Sequence, residues 1–255
     1  MKINASPLEL SYENGGKTLL FGKTRLGADV RLLSQMAEVL HDPDFAKKAG
    51  GALELYYMHR GVIRKEDADL FQKNAIRYDV TIIPPKMLGR EFNKTAGHYH
   101  PQASLGKSFP ELYQVLAGEA NYLLQKRVVR AGKDVGGEIE DAVLVCAKEG
   151  DAVLVPPNYG HVTANPSKNE TLVMANLVEC NFKSDYAPYK ALGGAAYFEL
   201  SSGDFFKNPN YEKVPPLRAR PARLFEPTAE AGITNESIYA QFLENPQKFK
   251  FLKTP

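Results

Sequence analysis

Between Tyr78 and Leu200 the apolar residues fall in short runs: "YDVTIIPP", "ELYQVLAG", "NYLLQKRVV", "DAVLVCA", "DAVLVPP", "TLVMANLVEC" and "AAYFEL". Gly, Pro, Asn and Asp separate them. Apolar runs of this length bounded by turn residues predict strands, and so many in succession predict a mainly β fold, a sandwich or small barrel. The word "DAVLV" occurs at Asp141 and again at Asp151, which reads as two strands joined by the turn "AKEG" and not as a repeat architecture. Upstream, "ADVRLLSQMAEVL" (28–40) carries apolar residues at helical spacing and stops before "HDPD", which predicts a short helix. Beyond Asn208, "EKVPPLRARPARLFEPTAEAG" is rich in Pro and Arg and predicts an extended path over a surface. A last short helix follows, with Thr234 or Asn235 as its cap and Pro246 just past its end. Leu217, Leu224, Phe225, Ile238 and Phe242 predict that this tail packs on the rest. The expected organisation is an N-terminal strand and helix segment (1–50) packed on a barrel domain (51–211), followed by a C-terminal extension (212–255).

At 255 residues the chain can bury one substantial core. Its formal charge of +2 gives no field for nucleic acid or an anionic membrane, so neither is an expected partner. No apolar run approaches the ~20 residues of a membrane helix. The start "MKINASPLELSYENGG" lacks a signal-peptide apolar region, which points to the cytoplasm. Cys146 and Cys180 sit in apolar contexts without zinc or redox spacing, and are expected reduced and buried.

The chemistry is concentrated in "TAGHYHP". Residues i and i+2 of a strand point the same way, so His98 and His100 face one side together. Glu111 follows in "ELYQVLAG", closed by Gly118, and "GDAVLVPPNYGHVTAN" adds His161 and Asn165. Three His and one Glu make a mixed nitrogen and oxygen set suited to one divalent ion such as iron, manganese, nickel or zinc. Tyr113, two residues after Glu111, shares its strand face. His41 and His59 have no partners in sequence and read as structural.

These two blocks resemble the two motifs of the cupin superfamily, in order and with three of the five histidines inside them. The interval from His100 to Glu111 is longer than usual, so "PQASLGKSF" must bulge outward. Asn158 stands where Gly is common, a position Asn tolerates because it enters left-handed conformations readily. From about Leu53 to Tyr211 the flanks are similar to the archaeal-type, cupin-type phosphoglucose isomerases. That resemblance implies a cupin, or jelly-roll-type, barrel, a homodimer, one divalent metal with iron favoured, and interconversion of glucose 6-phosphate with fructose 6-phosphate. It implies that His98, His100, Glu111 and His161 hold the metal and that Glu111 moves the proton, with Tyr113 beside it. It further implies that Thr81, Thr95 and Gly97 bind phosphate. The tyrosine the family often shows near "MANLVECNF" is replaced here by apolar residues. Asp185 and Tyr186 align poorly and stay outside the catalytic set, and Lys94 and Arg90 read as solvated loop cations. The alternatives are a cupin-type iron dioxygenase and a non-enzymatic phosphosugar-binding cupin.

Overall fold

The computed structural model describes residues 2–104, 106–130, 133–181, 183–222 and 232–255. Leu224 and Phe225 lie outside the described residues. Two antiparallel sheets face each other. One is six-stranded, in the order Ala152–Val155, Glu111–Ala117, Leu172–Glu179, Ile76–Ile83, Glu54–His59 and Asp29–Leu32. The other runs Tyr159–Ala164, Glu119–Arg130, Lys133–Lys148 and Arg218–Pro221, the last joining in parallel. The inward residues of both sheets, among them Val115, Tyr122, Val143, Val155 and Met174, form one core, as sheet-on-sheet packing requires. The fold is mainly β, a barrel of the cupin kind. Among the described residues no helix is long and apolar enough to cross a membrane.

The two "DAVLV" words are consecutive strands, but they belong to different sheets. The turn ends with Gly150 at φ 89°, and the chain passes from the 133–148 strand across the barrel edge to the 152–155 strand. The six-stranded sheet is buried on both faces. Its outer face packs on a four-stranded N-terminal meander (Lys2–Ala5, Leu8–Glu13, Thr18–Phe21, Thr24–Gly27) and on the C-terminal helix Ile238–Glu244. That is why the 76–83 and 172–179 strands read as almost unbroken apolar runs.

Three expectations are corrected. Residues 28–40 form no α-helix: Asp29–Leu32 is the edge strand, followed by 3-10 turns at Leu33–Gln35 and Ala37–Val39. A 3-10 turn has three residues, so Leu33, Met36 and Val39 stack on one buried side and mimic helical spacing. The helix lies later, at Pro43–Ala49, where "HDPD" starts it: Asp42 caps the Asp44 amide at 3.1 Å and Pro43 takes the first position. At the C-terminus the cap is Ser237, whose hydroxyl accepts from the Ala240 amide, not Thr234 or Asn235. Cys146 is exposed and Cys180 half-buried, both free thiols. Cys146 points away from the core-facing Val145 on an alternating strand.

Where it is described, the tail follows the extended path its composition predicts: Arg218–Pro221 pairs with the 133–148 strand, Leu217 packs on the core, and Ile238 and Phe242 are wholly buried. Asn158 takes φ 69°, and its side chain and amide bind Ser108 at 2.9 and 2.7 Å. This ties the long 101–109 loop, which pairs Gln102–Ser104 with Lys107–Ser108, to the second motif.

Candidate metal centre and cavity

The two motifs are joined through the backbone. The His98 amide donates to the His161 carbonyl at 3.2 Å, and the His161 amide returns the bond at 3.1 Å. Glu111 approaches from the other sheet, as the first residue of its strand. One ligand atom from each of His98, His100, Glu111 and His161 lies within 4.8 Å of the others. The His100 Nε2 is 3.2 Å from Glu111 Oε2 and 3.2 Å from His98 Nε2, and His161 Nε2 is 3.3 Å from the same Glu111 oxygen.

This cluster fits a cation. His100 Nδ1 lies 2.7 Å from the Phe109 carbonyl, which can only accept, so Nδ1 carries the proton and Nε2 turns its lone pair to the cluster. Glu111 Oε2 and both ring nitrogens of His161 are buried without a hydrogen-bond partner. Glu111 Oε2 and the His161 Nε2 that faces it are left without a donor, a gap in the polar accounting that a positive ion closes. Burial alone would raise the Glu111 carboxyl, but the His100 and His161 imidazoles overcome it and hold it well below the ordinary range. Burial, then the neighbouring imidazoles, hold His98 well below its ordinary value; burial also lowers His161, against the pull of Glu111. An ionised carboxylate is the form in which Glu111 would bind a metal.

The centre opens into a cavity of about 240 Å³, lined also by Thr81, Thr95 and Tyr113. Tyr113 is buried against Tyr122 and His161, at ring separations of 5.3 and 5.6 Å. Burial and then the Glu111 charge hold its phenol well above its usual value, so it stays a proton donor. The Thr95 hydroxyl accepts from the Thr163 amide at 2.9 Å and keeps its own proton to offer.

Gly97 does not line this cavity; it lines an adjoining hollow with Arg31, Gln35 and Lys190. It holds φ +76°, and a Cβ there would come within 2.6 Å of Val162 and 2.7 Å of Tyr189, so close packing is reason enough for glycine. Lys94 is no solvated cation. It is buried, paired with Glu91 and donating to the Val39 carbonyl at 3.1 Å. Arg90 is exposed, as expected of a loop cation. His59 is buried with Nε2 2.8 Å from the Gly16 carbonyl, and His41 packs edge-on against Phe198 and Phe206.

Tyr186, set aside on sequence, lies at the cavity wall with its ring 5.4 Å from that of His98. Arg31 sits between Tyr186 and Tyr56, its guanidinium 5.3 and 5.7 Å from the two ring centres, with a buried Nε that has no partner. Arg60 and Arg77 enter the cavity from neighbouring strands. Short motifs do not reveal these residues. They meet because Arg31 is in register with Tyr56, and because the 54–59 strand pairs with 76–83.

A family model described as "Glucose-6-phosphate isomerase (GPI)" matches residues 30–216, most of the chain. The chain is 30% identical to a glucose-6-phosphate isomerase of Thermococcus gammatolerans over 118 residues, 46% of this chain and 54% of that protein. It is 24% identical to that of Pyrococcus furiosus over 163 residues, 60% of this chain and 78% of that one. The chain spans about half the length of most of the curated relatives it matches. Among solved structures, hazelnut (Corylus avellana) vicilin aligns with a TM-score of 0.32 at 13% identity, over 51% of this chain and 29% of that one. The oxalate decarboxylase of Bacillus subtilis aligns with a TM-score of 0.31 at 19% identity, over 51% of this chain and 27% of that one. With the family model covering residues 30–216 and the paired His and Glu motifs inside that span, the chain belongs to the glucose-6-phosphate isomerase family in its archaeal, cupin form.

Proposed function

We propose that the protein is a metal-dependent aldose–ketose isomerase that interconverts glucose 6-phosphate and fructose 6-phosphate. The observation that carries this reading is that one cavity holds both the His98–His100–Glu111–His161 group and a hydroxyl-lined wall with Thr81 and Thr95. The phosphate lies toward Thr81, Thr95 and the backbone of Gly97, with Arg31 in the hollow that Gly97 lines. A divalent ion, iron by preference, supplies Lewis acidity to a sugar oxygen when bound. Glu111 takes the carbon-bound hydrogen from C2 of the aldose as a proton and returns it to C1, while the hydroxyl proton passes from O2 to O1. Tyr113, kept protonated, donates to the oxygen on which charge develops. Homodimeric assembly and a place in the cytoplasm, in glycolysis and gluconeogenesis, belong to the same proposal.

The test is a coupled assay on fructose 6-phosphate with metal-loaded protein, with and without chelator, beside His161→Ala. Expected are isomerisation that chelator abolishes, and a variant deficient in both metal and activity. Full metal content and full activity in the variant would remove the site. Oxygen uptake without isomerisation would place the chain among oxidising cupins instead.

A further inference from the structure

Apart from the metal ligands, the most unusual grouping in the cavity is a carboxylate held between two guanidiniums. Asp79 lies on the inner face of the 76–83 strand and is 0% exposed. Arg60 Nη1 donates to Oδ2 at 2.8 Å, Arg77 Nε lies 2.9 Å from both oxygens, and the Gly61 amide donates to Oδ1 at 2.9 Å. One buried carboxylate needs one cation; here there are two, and the carboxylate's oxygens are already satisfied. Two further carboxylates act on Arg60: Asp29, 3.8 Å away and 72% exposed, where solvent screens it, and Glu111, which is gathered with the three histidines. Both arginines line the cavity and both are partly open, with side chains 41% and 29% exposed. Arg77 also donates to the Cys180 carbonyl at 3.2 Å, which anchors it at the rim.

Their place along the strands gives them a direction. In the sheet register Arg77 is level with Val178, and Glu111 is one step past the Leu112–Leu177 pair in the same direction, so Arg77, Val178 and Glu111 share a row. The next row holds Asp79, Asn176 and Tyr113. Thr81 lies four residues from Arg77 on the same strand face, roughly 13 Å away. One end of the cavity therefore offers hydroxyls, and the other offers surplus positive charge beside Glu111. Arg60's charge is felt at Glu111, Tyr113 and His98.

We propose that Arg60 and Arg77, braced by Asp79, form an anion-selective clamp for the C1 end of the sugar, so that ligands with a carboxylate or enediolate oxygen there are preferred over those with a neutral alcohol. This rests on the proposed isomerase reading, which places phosphate at the threonine end. The clamp is a specificity element: a guanidinium bonds an anionic oxygen more strongly than a hydroxyl, and a braced guanidinium loses little freedom in doing so.

Calorimetric titration of the metal-loaded protein with gluconate 6-phosphate, glucitol 6-phosphate and inorganic phosphate tests it. The first two differ only in the group at C1. Gluconate 6-phosphate is expected to bind the parent at least roughly tenfold more tightly than glucitol 6-phosphate, and Arg60→Met to weaken it roughly ten- to hundredfold. Glucitol 6-phosphate and inorganic phosphate should stay within about twofold of parent, and Arg60→Lys should restore only part of the loss. Should Arg60→Met fail to fold, Arg60→Met/Asp79→Asn, which removes the paired charges together, takes its place with the same expectations. Equal weakening of both sugar ligands, or of neither, overturns the clamp while leaving the isomerase reading intact. Failure of the parent to bind either 6-phosphate overturns both.

Discussion

The two sheets of the barrel are covered on their outer faces by different chemistry. The six-stranded sheet turns Val80, Ile82, Leu112 and Val173 outward against Leu10, Leu19, Tyr239 and Phe242, an apolar cover drawn from both ends of the chain. The four-stranded sheet turns Asn121 and Gln125 outward, beside a small cluster of Ile139, Ala142, Ala196, Tyr211 and Val214. Gln125 donates to the hydroxyls of Tyr99 and Tyr211 at 2.9 and 3.0 Å and accepts from the Ala196 amide at 2.8 Å; Asn121 donates to Glu199 at 2.6 Å. Apolar burial is non-directional and grows with area. A polar cover depends on each partner being present, since an orphaned buried group costs its desolvation. The inner face of the six-stranded sheet carries most of the cavity's chemistry. Two outer covers thus set stability, and one inner face sets reactivity.

The sharpest separation of those roles, and the largest effect, is expected from Glu111→Gln. It keeps the side chain's size and one oxygen but cannot accept the proton. The metal-reconstituted variant should retain binding of 6-phosphosugars and a denaturation midpoint near the parent's, while turnover falls roughly 10²–10⁴-fold. Turnover close to parental would end the base role. Phe242→Ala attacks the apolar cover instead. Phe242 is 0% exposed and packs on Phe71 and Phe249 at ring separations of 4.5 and 5.5 Å. Its loss should cost about 3–5 kcal/mol in denaturant unfolding. A cost under about 1 kcal/mol would show the C-terminal helix to be dispensable to the sheet it covers.

What was legible in the sequence follows the range over which the signal is encoded. His98 and His100 declare themselves by spacing, and Glu111 and His161 by their places beside Gly and Pro turns, so the candidate ligand set needs no knowledge of the sheet. The strands from Ile76 to Glu179 are legible because apolar runs and turn residues are local. Arg31, Arg60 and Arg77 are not, because each acquires its meaning from a partner on another strand: Tyr56 and Tyr186 for the first, Asp79 for the other two. Lys94 misleads in the opposite sense, since a lysine in a loop has no sequence mark that distinguishes burial against Glu91 from solvation. Gly97 is ambiguous in sequence because close packing and anion approach both demand glycine, and the structure shows the close packing.

The polar cover is tested by Gln125→Ala, which leaves the Tyr99 hydroxyl and the Ala196 amide without this partner. A loss of about 1–3 kcal/mol in unfolding free energy is expected, with Tyr211 cushioned by its own bond to the Gly194 carbonyl at 3.0 Å. If Gln125→Ala is neutral while Gln125→Leu is destabilising, shape and not hydrogen bonding holds that face.

The smallest effect is the most diagnostic of a polar cover, because an apolar one cannot produce it. Glu199 is buried beside Asn121, and its second oxygen has no hydrogen-bond partner. Burial pushes its carboxyl up from 4.5 to about 7, against smaller opposing pulls from Asn121 and Lys94. At pH 6 the native protein therefore holds this proton, while the unfolded chain, with an ordinary carboxyl, has released it. The native state binds more protons than the unfolded state, so the contribution is present at lower pH and is lost as pH rises through about 7. Between pH 6 and pH 8 the parent should lose about 1 kcal/mol of stability from this group alone. His59, whose imidazole burial pushes down, contributes with the opposite sign at lower pH, so the measurement is made as a difference between proteins. Glu199→Gln cannot ionise and should flatten the fall between the two pH values while leaving the His59 component in place. Parallel stability profiles for parent and variant would mean that Glu199 is solvated or already paired when ionised, and the polar cover would then be no more pH-sensitive than the apolar one.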